Sequence, residues 1–134
     1  MRIACTLPWI FTLLITACMN TTADQYEYAD GSANLYRITR DSVQYIPVTP
    51  AESSTGFYSG GKPATVSITA EQFQLLKQQL DAAIADTSLH TPDRAKRTAL
   101  IVRTGPQDTT RVILHQGAAP IASIETYLKE LLQR

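Results

Sequence analysis

Apolar and polar residues alternate with a period of two in several stretches of this chain and recur every three to four positions in two others. Leu35 to Thr39 places Tyr36 and Ile38 on one face. Arg40-Asp41-Ser42 interrupts, and Val43, Tyr45 and Pro47 make a second alternating run. Alternation reads as half-buried strands, and the polar break as a hairpin. Pro47 belongs at an edge or a strand end, because it has no N–H for a ladder. Ala64 to Ile68 reads as a third short strand.

Thr69 begins a helix. It is an N-cap with Gln72 three residues on, the pattern of a capping box. Phe73, Leu76, Leu80, Ala83 and Ile84 then share one helical face. The pattern fades over Asp86 to Leu89, and Pro92 marks the exit. Ala99 to Arg103 is nearly all apolar, which suits a strand with neighbours on both sides. Gly105-Pro106-Gln107-Asp108 is a turn, and Thr110, Val112 and Leu114 line one face of the returning strand. After Gly117, Pro120 fits a first helical turn. Ile121, Ile124, Tyr127 or Leu128, and Leu131 form the stripe of a closing helix.

Two amphipathic helices cannot bury their stripes alone. The expected fold is therefore α+β: an antiparallel sheet of about five strands with both helices on one face. This domain is expected to span residues 34–134. Residues 19–33 are polar and read as a flexible spacer, with Tyr26 and Tyr28 in solvated linker in preference to the alternative, docking on the domain. The stretch 49–63 is a long irregular loop.

Composition narrows the class. The chain has 134 residues, enough for one domain, and its 12 basic residues balance 12 acidic ones. Without a basic stripe, no nucleic-acid partner is expected. The two cysteines, Cys5 and Cys18, both lie near the start. Ahead of Asp24 the only charge is Arg2, and Ile3 to Ile15 is a mostly apolar run containing Pro8. It is shorter than the ~20 residues that span a bilayer. A charged start, a short apolar core and small residues before a cut describe a secretory signal peptide.

Ile15-Thr16-Ala17-Cys18 resembles the lipobox of bacterial lipoproteins, an aliphatic residue and two small ones before cysteine. The resemblance implies removal of residues 1–17, diacylglycerol on the Cys18 thiol and acylation of the new amine. Met19 in place of an aspartate implies the outer membrane, facing the periplasm or the cell surface. The mature domain would then hold together without a disulfide.

No catalytic, cofactor or metal-ligand motif stands out. His90 and His115 lack zinc-ligand spacing and read as surface or strand-end residues. Gly60-Gly61-Lys62 lacks the spacing of a phosphate loop. Two surfaces are candidates. In the 49–63 loop, Phe57 and Tyr58 beside Ser59, Gly60 and Gly61 either project for recognition or fold back over the core edge. Arg94, Lys96 and Arg97 either hold an anionic group or form a solvated turn, and Arg103 and Arg111 would join them if they face the same way.

The function expected is a membrane-anchored, non-catalytic binding or envelope-interaction module, its partner an envelope protein or a protease. Ser59-Gly60-Gly61, followed by strand, helix, hairpin and helix as far as Gln133, also resembles the layout of the emfourin family of metalloprotease inhibitors. That implies protease inhibition, with no inhibitory residue to carry over. A small hydrolase would need His90 or His115 to meet a serine and an acid in space.

Overall fold

The computed structural model describes residues 23–134. The leader and the lipobox with Cys18 lie outside the described residues. The order is β1 (Gln25–Ala29), β2 (Leu35–Ile38), β3 (Ser42–Ile46), β4 (Ala64–Ser67), α1 (Ala70–Ala85), β5 (Ala99–Thr104), β6 (Thr109–Leu114) and α2 (Ala119–Leu132), with a single 3-10 turn at Thr87–Leu89. The strands form one antiparallel sheet in the order β4-β3-β2-β1-β5-β6. The fold is α+β, as the two periodicities require.

One expectation is corrected. Part of the stretch read as spacer is β1, hydrogen-bonded to β2 on one side and β5 on the other. Tyr26 and Tyr28 are fully buried, not solvated. The physical reason is the alternation Gln25-Tyr26-Glu27-Tyr28. It puts two aromatic bodies on the core face and lets their hydroxyls reach polar partners. The Tyr28 hydroxyl donates to Glu125 of α2 at 3.0 Å. The sheet thus has six strands rather than five, and the domain begins before residue 34.

The core lies between one face of the sheet and both helices. Phe73, Leu76, Leu80 and Ala83 of α1 and Ile124, Leu128 and Leu131 of α2 pack on Tyr26, Tyr28, Tyr36, Ile38, Val43 and Ile101. Leu128, rather than Tyr127, occupies the buried position of the closing stripe. Truncating a fully buried leucine such as Leu80 costs about 2–5 kcal/mol. Three tyrosines form a ladder across this face: Tyr28 and Tyr36 meet edge-on at 6.1 Å, and Tyr36 and Tyr45 lie 4.9 Å apart. The capping box at the head of α1 is formed, with Gln72 N donating to Thr69 Oγ1 at 3.2 Å and Thr69 N to Gln72 Oε1 at 2.9 Å.

Among the described residues, no helix covers the opposite face of the sheet. One cross-strand rung of it is apolar from end to end: Ile46, Leu35, Ala29, Leu100 and Ile113 are successive partners on β3, β2, β1, β5 and β6. Among the described residues no helix is long and apolar enough to cross a membrane.

Candidate functional site

At its start β1 is clasped to α1. Lys77 Nζ bonds Asp24 at 2.6 Å, the Tyr26 hydroxyl at 3.0 Å and Asp81 at 3.0 Å, while Tyr26 donates to Asp81 at 2.7 Å. Burial pushes the Tyr26 phenol up to about 12. The Lys77 ammonium is held above its ordinary range, chiefly by the bond to Asp24. Both groups keep their protons, the reverse of a tyrosine–lysine pair poised to abstract one. This cluster is a clasp between helix and sheet.

At its other end β1 runs into the turn Asp30-Gly31-Ser32-Ala33-Asn34, where two loops meet. Asp30 Oδ1 accepts from the backbone N–H groups of Ser32 at 2.8 Å and Asn34 at 2.9 Å, a side chain standing in for a backbone partner. Asn34 is buried and ties this turn to the 49–63 loop. Its Nδ2 donates to Asp30 Oδ2 and to the Tyr58 hydroxyl, both at 2.9 Å, and its Oδ1 accepts from Val48 N at 3.1 Å.

The 49–63 loop is closed at its base. Gly60 N donates to Val48 O at 2.9 Å, and the Tyr45 hydroxyl donates to Gly60 O at 2.7 Å. A Cβ on Gly60 would stand 2.0 Å from Asn34 Oδ1, so only glycine fits. The two readings of this loop's aromatics divide between them. Tyr58 folds back onto Asn34, whereas Phe57 projects with 91% of its surface exposed. Ser59-Gly60-Gly61 is the foot of the loop: Ser59 Oγ accepts from Gly61 N at 3.2 Å, and Gly60 is locked to Val48 and Tyr45.

The basic segment closes on the same turn from the other side. Arg94 donates from Nη2 to Asp30 O at 2.7 Å and from Nη1 to Thr98 O. Its guanidinium therefore serves backbone carbonyls rather than a free anion surface. Lys96 and Arg97 enter no hydrogen bond or ion pair among the described residues, and both are exposed. Arg103 and Arg111 do not face the same way. Arg103 pairs with Thr110 in the ladder and reaches Asp81 and Asp108 on the helix side, whereas Arg111 pairs with Val102 on the open face. Arg103 is thus no part of the basic surface.

The two segments singled out separately in the sequence line one open groove of about 610 Å³. The Asp30–Asn34 turn forms its floor through Gly31, Ser32 and Ala33. Glu52 to Thr55 and Tyr58 make one wall, and Arg94 to Arg97 the other. What the sequence reading missed was the floor. The signal was present, an Asp-Gly pair between two alternating runs, which is a turn signature.

No protein-family model, curated protein or solved structure matches the chain.

The histidines lie elsewhere. His90 bridges to Leu114, and its Nε2 meets Ala83 O at 3.0 Å. His115 Nδ1 meets Gln116 O at 2.9 Å. Ser88 and Asp86 are close to His90 in sequence, but Ser88 Oγ donates to Asp86 at 2.5 Å as part of the cap of the 3-10 turn. No imidazole bonds a serine or an acid among the described residues, and there is no cluster of three or more metal-ligating side chains there.

Proposed function

We propose that the protein is a non-catalytic binding module, exported and held at the outer membrane by lipid on Cys18, that takes a protein partner in the groove above the Asp30–Asn34 turn. The observation that carries this reading is convergence. An exposed aromatic, Phe57, stands on the loop that builds one wall of the groove, and two cations without a partner among the described residues, Lys96 and Arg97, line the other wall. Exposed aromatics and arginines are the side chains that anchor protein interfaces. Topology supports the same reading. The chain enters β1 at Gln25, on the side of the Lys77 clasp, and leaves it at Ala29 for the groove floor. An anchor preceding Gln25 would attach at the end of β1 opposite the groove.

Two measurements test the proposal. Mass spectrometry of the protein from its native host should find Cys18 as the first residue, carrying acyl groups; an intact leader would falsify the anchor. Photo-crosslinking from position 57 should trap one envelope partner, and Phe57→Ala should lose that partner with the thermal midpoint unchanged. Undiminished capture by the variant would exclude the exposed tip of the 49–63 loop as the contact.

A further inference from the structure

We propose that the groove accepts an acidic peptide segment of the partner, read through the side chains of Lys96 and Arg97. This rests on the binding reading above and specifies the partner's chemistry.

The argument begins with the charges lining the groove. There are three cations, Arg94, Lys96 and Arg97, and one carboxylate, Glu52. The carboxylate is already committed: Glu52 Oε2 accepts from Thr49 N at 3.0 Å and Thr49 Oγ1 at 2.8 Å. Arg94 is committed to Asp30 and Thr98. Two positive charges remain without a partner among the described residues, in a chain whose formal charges sum to zero. An anionic ligand answers that surplus.

The backbone supplies a second, independent observation. Arg97 sits at φ 64°, the left-handed region where a Cβ crowds the following carbonyl and glycine is relaxed. The Arg97 backbone rests on Gly31, whose added Cβ would stand 2.7 Å from Arg97 Cα. The chain thus carries a guanidinium at a position whose geometry favours glycine. Strained backbone of this kind clusters at functional sites, and Ala33 on the floor of the same groove shares it at φ 68°.

Shape favours a peptide over a small ion. The groove is open, its lining includes Ala33, Val48, Ala95 and the Tyr58 ring, and Phe57 stands on the loop that builds one wall. A carboxylate-bearing chain can pair its acids with Arg97, whose fork matches carboxylate geometry, and lay apolar side chains on the rest. Ser54, whose hydroxyl has no hydrogen bond among the described residues, lies on the opposite wall.

The test is fluorescence anisotropy of the full chain in neutral detergent. The probe is a labelled peptide of four glutamates around one phenylalanine, with its all-glutamine counterpart and inorganic pyrophosphate as comparisons. The glutamate peptide should bind, weaken as salt rises, and bind roughly tenfold or more tightly than the glutamine peptide. Lys96→Gln/Arg97→Gln should abolish that preference. Arg97→Gly, which relaxes the backbone, guards against misfolding: it should keep or raise the thermal midpoint and still weaken binding. Equal affinity for both peptides, or indifference to both variants, overturns the proposal. Binding of pyrophosphate without peptide does the same and assigns the groove to small phosphates. If the peptide arms fail while Phe57→Ala still loses the crosslinked partner, the acidic chemistry falls and the binding module stands.

Discussion

Gly31 lies directly against Arg97: a Cβ added to the glycine would stand 2.7 Å from the arginine Cα. This contact joins the turn after β1 to the segment before β5, where Arg97 sits at positive φ. Gly31→Ala should therefore force the two backbones apart and cost about 1–3 kcal/mol in urea unfolding. Arg97→Gly should leave stability unchanged or raise it by up to ~1 kcal/mol, since it relieves the left-handed strain. An alanine at 31 that is tolerated without loss would mean the loops are not in contact.

Gly60 makes the corresponding contact at the foot of the 49–63 loop. With Asn34 Oδ1 only 2.0 Å from an added Cβ, Gly60→Ala should displace the foot of the 49–63 loop and release Tyr58 from Asn34. The measurement is limited proteolysis. Cleavage should quicken within residues 49–63 and remain slow in α1 and α2. An unchanged digestion pattern would count against the closed loop.

Alkaline stability follows from the tyrosines. Burial raises the Tyr26 phenol from 10.0 to about 12, and also raises Tyr28 and Tyr36. A raised pKa means the fold prefers the protonated form. That contribution is complete below about pH 10, where the unfolded phenol is still protonated, and is lost as pH climbs from 10 towards 12. Lys77 acts with the same sign, because its raised pKa likewise favours the protonated form. The urea midpoint should hold to about pH 9 and fall steeply above 10, with a shallower fall in Tyr26→Phe.

Thr69→Ala removes half of the capping box at the head of α1 and should cost about 1 kcal/mol. The double variant with Gln72→Ala should cost less than the sum of the single ones, because the two bonds are reciprocal. Strict additivity in equilibrium unfolding would mean the residues act separately.

Periodicity made most of this fold readable. The stripe Phe73-Leu76-Leu80-Ala83 and the alternation through Val43 and Tyr45 each name one buried face without reference to the rest of the chain. The strand β1 was harder to see. Its alternating core is only Tyr26 and Tyr28, set among Asp24, Glu27 and Asp30, and tyrosine serves a solvated segment and a buried strand equally well. What decides is long-range: β5, some seventy residues on, pairs with it. The groove was half legible for the same reason. Phe57 and Arg97 each stand out locally, but the joining of their two loops around one groove depends on Asn34 and Gly31, which look like ordinary turn residues until the chain has folded.

The central place of β1 also changes how an anchored form would behave under load. Six residues separate Cys18 from Gln25, a reach of roughly 25 Å even when taut. A lipid on Cys18 would keep the domain on a short leash close to the bilayer. Any tug on that leash falls on a strand laced to neighbours on both edges, so detaching it means ripping two ladders together rather than peeling a loose end.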